Sequence, residues 1–432
     1  MDKSQAAADP GRVLILGADG FIGRHLAFGL RAAGWQVLAS ARRTDALEWM
    51  GFETLRADLA ADEPQHPAFW QGKLAGVTHV VNAAGVLNAG ETVSHAVHVA
   101  APEAIYAALP VPARGLLISA VGIDGSETGF ARHRRAGEAV AATHGITILR
   151  TGLVLSETSY GGSSLARALA ALPFFTPVVG RGDQQFNPVH AADLTRVVDH
   201  LLRHPPGPGV HSIGGPETLS QAEMLRSLRA WMGLRQVPLL RLPLWLAHGL
   251  GRMGDALRWG PISATAVAQL QSGVLAHPDS AIAALTVKLR GFSQFMAARP
   301  AGTQDLWHAR LYLMRPVLRI VLAFLWLASG VIGLTLPSAA FLPLLPDTML
   351  GDGMLIALAR LGGVLDLGIG AALLRGWQPR TLAGLQVGVV LTYTLAFSWL
   401  NAGLWLLPLG GLLKNIPVMM LIAISAILEQ ER

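Results

Sequence analysis

Val13-Leu14-Ile15-Leu16-Gly17-Ala18-Asp19-Gly20-Phe21-Ile22-Gly23 decides how the front of this chain folds. Four consecutive apolar residues read as a strand buried on both faces. Arg24 to Ala33 continues with helical spacing, Leu26 and Leu30 falling on one face. Glycine at positions 17, 20 and 23 lets the strand turn sharply into the helix. It also lets backbone N–H groups approach a pyrophosphate lying at the positive end of that helix. The predicted contacts are Gly17, Asp19, Gly20, Phe21, Ile22 and Gly23.

Further strands follow at regular intervals. They are predicted over 36–41, 54–57, 78–82, 115–119 and 146–150, with helices over about 92–109 and 130–144. Alternation at this spacing predicts an α/β fold: a doubly wound parallel sheet covered by helices on both faces. Residues 11–297 are assigned to it, the stretch 156–297 forming mainly a small helical lobe. Residues 1–10 carry no apolar core of a signal peptide and are predicted to be a disordered N-terminus.

The back of the chain has a different composition. Only 14% of the 432 residues are charged, and the mean hydropathy is +0.43, too apolar for an ordinary soluble protein. Beyond a linker at 298–315, residues 316–432 contain four membrane-length apolar runs: 316–336, 354–374, 382–400 and 411–428. Arg310, Arg315 and Arg319 precede or enter the first, and Arg375 and Arg380 separate the second from the third. The loop 337–353 carries Asp347 and Asp352 but no Lys or Arg, and 401–410 carries none either. The positive-inside rule puts both termini and the front domain on the cytoplasmic side of a plasma or inner membrane. The net charge of +6 is dispersed, with no aromatic-basic strip, so the lipid bilayer and not nucleic acid is the predicted partner. Absence of cysteine excludes thiolate metal sites, disulfides and a thiol nucleophile; no histidine spacing points to a metal.

Strand two addresses the cofactor's ribose. An NAD site wants an acid there, whereas a 2′-phosphate prefers arginine. Ala39-Ser40-Ala41-Arg42-Arg43 has no acid, so Ser40, Arg42 and Arg43 favour NADP(H), with NAD(H) as the alternative. The competing account places both arginines in solvent.

Residues 11–295 resemble the extended and atypical short-chain dehydrogenase/reductases, most of all the branch containing the 39-kDa accessory subunit of respiratory complex I. The resemblance rests on the Gly17/Gly20/Gly23 loop, Asp58-Leu59, Asn82-Ala83-Ala84-Gly85, Ser119, Arg150-Thr151-Gly152-Leu153 and Asn187-Pro188-Val189-His190 with Asp193. It implies an adenine contact at Asp58 and Leu59, cofactor contacts at Ala83, Ala84, Gly85, Thr151 and Gly152, and a catalytic-serine role for Ser119. The back end resembles a DoxX-like four-span membrane domain.

The family's chemistry uses a Tyr-x-x-x-Lys pair one helical turn apart, the lysine charge and cofactor lowering the tyrosine pKa for proton transfer. Here Phe130 stands at the tyrosine position and Arg134 at the lysine position, and no Tyr-x-x-x-Lys occurs elsewhere in the chain. Phenylalanine donates no proton. Ser119 and Tyr160 are the substitute catalytic candidates, with His133 as a relay; the plainer account of Tyr160 is a loop anchor. In the apolar half, Arg360, Asp366 and Lys414 need explanation, because an ion at mid-span is costly unless paired or wet. A base (Arg360, Arg319 or Lys414) is expected beside Asp366, or else a polar pocket.

Three functions fit. The first is a membrane-anchored NADP(H)-dependent oxidoreductase delivering hydride or electrons to a quinone or other lipid-like acceptor. The second is a non-catalytic NADP(H)-binding module for assembly or regulation of a membrane complex. The third is a nucleotide-sugar epimerase or dehydratase.

Overall fold

The computed structural model describes residues 10–430 except 208, 279, 284, 286 and 346–349. The expected tail at 1–9 and Asp347 therefore lie outside the described residues. The chain forms two compact units. The first runs to Asp255 and resumes over Gly260–Leu306; the second takes Ala256–Trp259 and the chain from Trp307 onward.

The first unit is built on seven parallel strands: β1 (Arg12–Leu16), β2 (Gln36–Ala41), β3 (Glu53–Arg56), β4 (Val77–Asn82), β5 (Arg114–Ala120), β6 (Thr147–Thr151) and β7 (Val210–Ile213). Their order is β7-β6-β5-β4-β1-β2-β3, the doubly wound arrangement expected. In β1, Val13, Leu14, Ile15 and Leu16 are all fully buried, because helices cover both faces of the sheet. On one face, α1 (Phe21–Ala32) brings Leu26, Ala27 and Leu30 against Leu194, Val197 and Val198 of a later helix. On the other, Ala101, Ala104 and Ile105 pack with Leu14, Leu16, Val80 and Leu117. Strand order reverses between β1 and β4, and the crevice beyond their carboxyl ends is where doubly wound sheets bind ligands.

Two details differ from expectation. β7 pairs with β6 but reads as loop in sequence, since Val210-His211-Ser212-Ile213 is short and flanked by Pro- and Gly-rich chain. The helix expected over 92–109 is instead Glu91–His95, a wide π turn over Ala96–Ala100, and Ala101–Ala108. Pro102 lacks an N–H and enters at the start of the last segment, where the ladder has already loosened.

The second unit contains α4 (Met314–Thr335), α5 (Asp352–Arg375), α6 (Pro379–Leu400) and α7 (Asn415–Leu428), the numbers α2 and α3 being kept for Gly129–Thr143 and Ala191–Arg203 of the first unit. Each of the four, the last extended back to Gly410, is long and apolar enough to cross a membrane. The stretch expected as a linker carries its own helix, Thr303–Tyr312. Glycines set the α4–α5 seam: a Cβ on Gly363 would lie 2.9 Å from Gly330 O, and one on Gly330 2.7 Å from Gly363 O. Without side chains there, the two backbones approach closely, which is how helices associate in lipid.

That seam is testable. Gly363→Leu should destabilise the unit by roughly 1–3 kcal/mol through overpacking, whereas Gly368→Leu on the same helix, where nothing lies within 4 Å of an added Cβ, should be tolerated. Thermal unfolding in detergent measures both, and equal effects would remove the seam from the account.

Candidate functional site

The glycine loop closes on the sheet through backbone contacts. Gly17 adopts φ +72°, and a Cβ on it would stand 2.8 Å from Ala84 Cα. A Cβ on Gly23 would stand 2.1 Å from Gly17 O. Ala18 N–H donates to Ser40 O at 3.0 Å and Ala83 N–H to Leu16 O at 3.1 Å. These bonds hold the loop, the end of β2 and the end of β4 at one edge of the sheet. Helix α1 opens on Gly20, with no side-chain cap and no acid in its first turn, so no side chain of that turn competes for its N-terminal amides. Asp19 anchors the loop through its own carbonyl, which accepts from Arg24 Nη2 at 2.9 Å. Phe21 and Ile22 are half-buried against the core.

Around this loop the remaining predicted residues take distinct places. Ser40 is buried, while Arg42 and Arg43 are exposed and make no hydrogen bond or ion pair among the described residues. Two unengaged guanidinium groups at the end of β2 fit a cofactor phosphate. Asp58 accepts from Ala60 N–H at 3.1 Å, forming a tight turn that buries Leu59. Asn82 donates to Tyr106 Oη at 3.0 Å and accepts from Ala84 N–H at 3.1 Å, fixing the Ala83-Ala84-Gly85 turn. Thr151 Oγ1 donates to Ser119 O at 3.2 Å, and Gly152 N–H to Ile213 O. Tyr160 is half-exposed; its loop crosses the start of α1 through Thr158 and His25, 3.0 Å apart. The Tyr160 hydroxyl makes no hydrogen bond among the described residues.

Ser119 Oγ is buried at the end of β5 with no hydrogen-bond partner among the described residues. A buried hydroxyl left unpaired is costly, so a bound group beside it would gain a donor. Helix α2 supplies the rest of this wall. Arg134 is buried and reaches Ala84 O at 3.2 Å and His98 Nδ1 at 3.3 Å through Nη1. Arginine offers no acceptor, so His98 Nδ1 accepts, and Nε2–H donates to Val86 O at 3.0 Å. Burial, then the Arg134 charge, pushes His98 down to about 4; burial also lowers Arg134 to about 10, leaving it charged at neutral pH. Phe130 turns its ring edge-on to His98, centroids 5.9 Å apart. His133 is occupied, Nδ1 lying 2.8 Å from Gly129 O and Nε2 3.1 Å from Glu91.

A second polar network went unread in the sequence. His190 receives Arg290 Nη2 and Ala192 N–H at Nδ1, at 2.7 and 3.1 Å, and pairs through Nε2 with Glu157 at 3.1 Å. Burial foremost, with Arg290, lowers its pKa. Fully buried Asp193 takes Arg290 and Arg196, and Asn187 clasps Ala276 through both backbone groups. The Asn187…Asp193 stretch thus fastens the lobe. The spacing of Asn187, His190 and Asp193, three residues apart, can be read from the chain, whereas their partners cannot.

In the membrane unit, polar side chains and not a base stand beside Asp366 among the described residues, the second of the two arrangements expected. Asp366 is buried inside the bundle, 3% exposed, and accepts from Ser329 Oγ at 2.6 Å and Tyr393 Oη at 3.0 Å. Arg360 instead donates to Gly333 O and Leu336 O, the carbonyls left free at the end of α4. Arg319 pairs with Glu429 at 2.6 Å. Lys414 is exposed. A helix end and two hydroxyls satisfy these ions in place of one another.

Residues 13–108 match the NAD dependent epimerase/dehydratase family, and residues 323–423 match the DoxX-like family. Comparison with curated proteins gives no match. Among solved structures, MoeE5 in complex with UDP-glucose and NAD is similar at 18% identity and TM-score 0.48, covering 71% of this chain and 100% of that one. UDP-N-acetylglucosamine 4-epimerase from Bacillus cereus is 12% identical with TM-score 0.46, covering 70% and 96%. dTDP-glucose 4,6-dehydratase from Bacillus anthracis in complex with NAD is 13% identical with TM-score 0.45, covering 54% and 84%. The chain thus joins a doubly wound α/β unit, whose first hundred residues are similar to the NAD dependent epimerase/dehydratase family, to a unit with four apolar helices that is similar to the DoxX-like family.

Two measurements probe these contacts. Unfolded His98 takes up a proton near pH 6.5, whereas the folded residue resists until about pH 4. Stability is therefore full above pH 6.5 and lost as pH falls through that window, by up to about 3 kcal/mol from this residue. The drop in melting temperature between pH 7 and pH 5 should shrink in His98→Gln; an unchanged drop would refute the assignment. In the bundle, Asp366→Leu should cost about 1–3 kcal/mol by orphaning two hydroxyls, while Asp366→Asn, which keeps an acceptor, should retain most of the stability. Denaturation showing the two variants alike would mean the hydroxyls find other partners.

Proposed function

We propose that the protein is a membrane-anchored NADP(H)-binding oxidoreductase that passes hydride or electrons to a membrane-soluble acceptor such as a quinone. One observation carries the reading: a glycine cradle flanked by the unengaged Arg42 and Arg43 stands on the same chain as four apolar helices. Asp19, Gly20, Phe21, Ile22 and Gly23 would hold the pyrophosphate, Ser40, Arg42 and Arg43 the 2′-phosphate, and Asp58 and Leu59 the adenine side. Ala83, Ala84, Gly85, Thr151 and Gly152 would line the remainder, with the Ser119 hydroxyl and Tyr160 as the polar groups at the reactive end. When bound, NADPH supplies a hydride, so that quinone, NADPH and one proton become quinol and NADP+. Clustering of Arg310, Arg315, Arg375 and Arg380 supports a cytoplasmic Rossmann domain and termini.

Phe130 and Arg134 favour a second reading, in which NADP(H) is bound without turnover and the protein serves assembly or regulation of a membrane complex. The match of residues 13–108 to the epimerase/dehydratase family keeps action on a nucleotide sugar as the remaining alternative.

Purified protein in detergent, supplied with a short-chain quinone, should oxidise NADPH faster than NADH. Replacing Arg42 and Arg43 with alanine should weaken NADPH binding selectively, by roughly 1–3 kcal/mol. Binding without turnover would select the second reading. Equal losses for NADPH and NADH in the double variant would overturn the cofactor preference.

A further inference from the structure

The helix Leu244–Leu257 is packed the wrong way round for a soluble protein. Its buried positions are Ala247, Gly251 and Gly254, and they need to be small: a Cβ on Gly251 would lie 2.8 Å from Ala264 N, and one on Gly254 1.9 Å from Ile262 O. Its large residues point away. Trp245 is 74% exposed, Met253 41% and Leu250 36%, with Leu246, Gly249 and Ala256 between them. At 3.6 residues per turn these six share a continuous arc of roughly 140° with no charged member. An apolar face this broad and uncovered is a binding surface or a liability.

We propose that this face lies in the headgroup and upper acyl region of the lipid bilayer, making Leu244–Leu257 an interfacial helix. The chain itself brings lipid to it. Ala256 and Leu257, the last two residues of the helix, belong to the unit that carries the membrane spans, and Leu257 O accepts from Arg319 Nη1 at 3.2 Å. Arg319 stands in the second turn of α4, near one end of that span, which is the depth of the headgroups. The charges agree: Arg252 borders the apolar arc, Arg241 and Arg258 precede and follow the helix, and all three are exposed with no side-chain hydrogen bond or ion pair among the described residues. Tryptophan at one end and arginines around an apolar arc are the composition of helices that lie in the membrane plane. Anionic headgroups would also take up those three charges.

Absence of native cysteine makes the test direct. Leu250→Cys and Met253→Cys, with Trp49→Cys as a control at a position 81% exposed elsewhere on the first unit, are spin-labelled in the full chain reconstituted into lipid nanodiscs. Collision with dissolved oxygen and with a water-soluble nickel chelate is then measured at each label. At 250 and 253 the oxygen-to-nickel ratio should be several-fold higher than at 49. Ratios equal to that at 49 would place the face in water and overturn the proposal. Shielding from both probes would show that protein covers it, a second copy or another chain, and would overturn the proposal equally. NADPH binding by each variant checks that the fold is intact.

Discussion

The Gly23–Gly17 contact is the constraint on which the front unit depends. With only hydrogen at the Gly23 Cα, the first turn of α1 can rest on the Gly17 carbonyl just beyond β1, where a Cβ would be 2.1 Å from that oxygen. This fixes the height of α1 above the sheet. From there α1 meets α3 at another forced glycine, Gly29, whose Cβ would lie 2.4 Å from Thr195 Cγ2. Leu26, Ala27 and Leu30 then complete the core on that face. The same closeness sets the first amides of α1 beside the crevice between β1 and β4, so sheet packing and the pyrophosphate contact proposed for those amides would share one steric cause.

Much of this was legible because strong local signals encode it. A four-residue apolar run followed by three glycines leaves few backbone solutions, and six strands of the sheet lie within a residue or so of their expected places. β7 escaped because it is an edge strand whose pairing with β6, not its own pattern, makes it a strand. The spans were legible from length and hydropathy, since no soluble core demands such runs. Partners of polar residues were not legible. His98 and Arg134 are 36 positions apart, and Glu157, His190 and Arg290 are brought together only by the lobe. Position in a motif predicts where a side chain starts, not what it meets.

Asp366 shows why charge-matching is a poor guide inside a bilayer. Two opposite ions there must both be dehydrated, and their attraction seldom exceeds that cost by much. Ser329 and Tyr393 provide hydroxyl donors whose own desolvation is far cheaper, and glycine makes room for them: a Cβ on Gly362 would lie 2.9 Å from Tyr393 Oη. The arginines are handled near the ends of the helices, Arg360 on helix-end carbonyls and Arg319 on Glu429. There the charge can be met by groups that a helix terminus leaves unsatisfied in any case.

Phe130 and Arg134, which the resemblance puts where a tyrosine–lysine pair would stand, bear on the chemistry proposed for this site. Arg134 does not float at the reactive end; it is spent on Ala84 O and His98, holding the turn that lines the crevice. Its proton is unavailable at neutral pH even with burial lowering it to about 10. Reactions on a sugar hydroxyl need a base to remove that proton as hydride leaves, and neither residue offers one. A quinone reduced by hydride has a lighter requirement, because the oxyanion it forms takes a proton readily from water or a nearby hydroxyl. Ser119, buried and without a hydrogen-bond partner for its hydroxyl among the described residues, would in the proposed reaction donate a hydrogen bond without having to ionise. On the proposed reading, a site without that pair is better matched to reduction of a membrane-soluble acceptor than to epimerase chemistry.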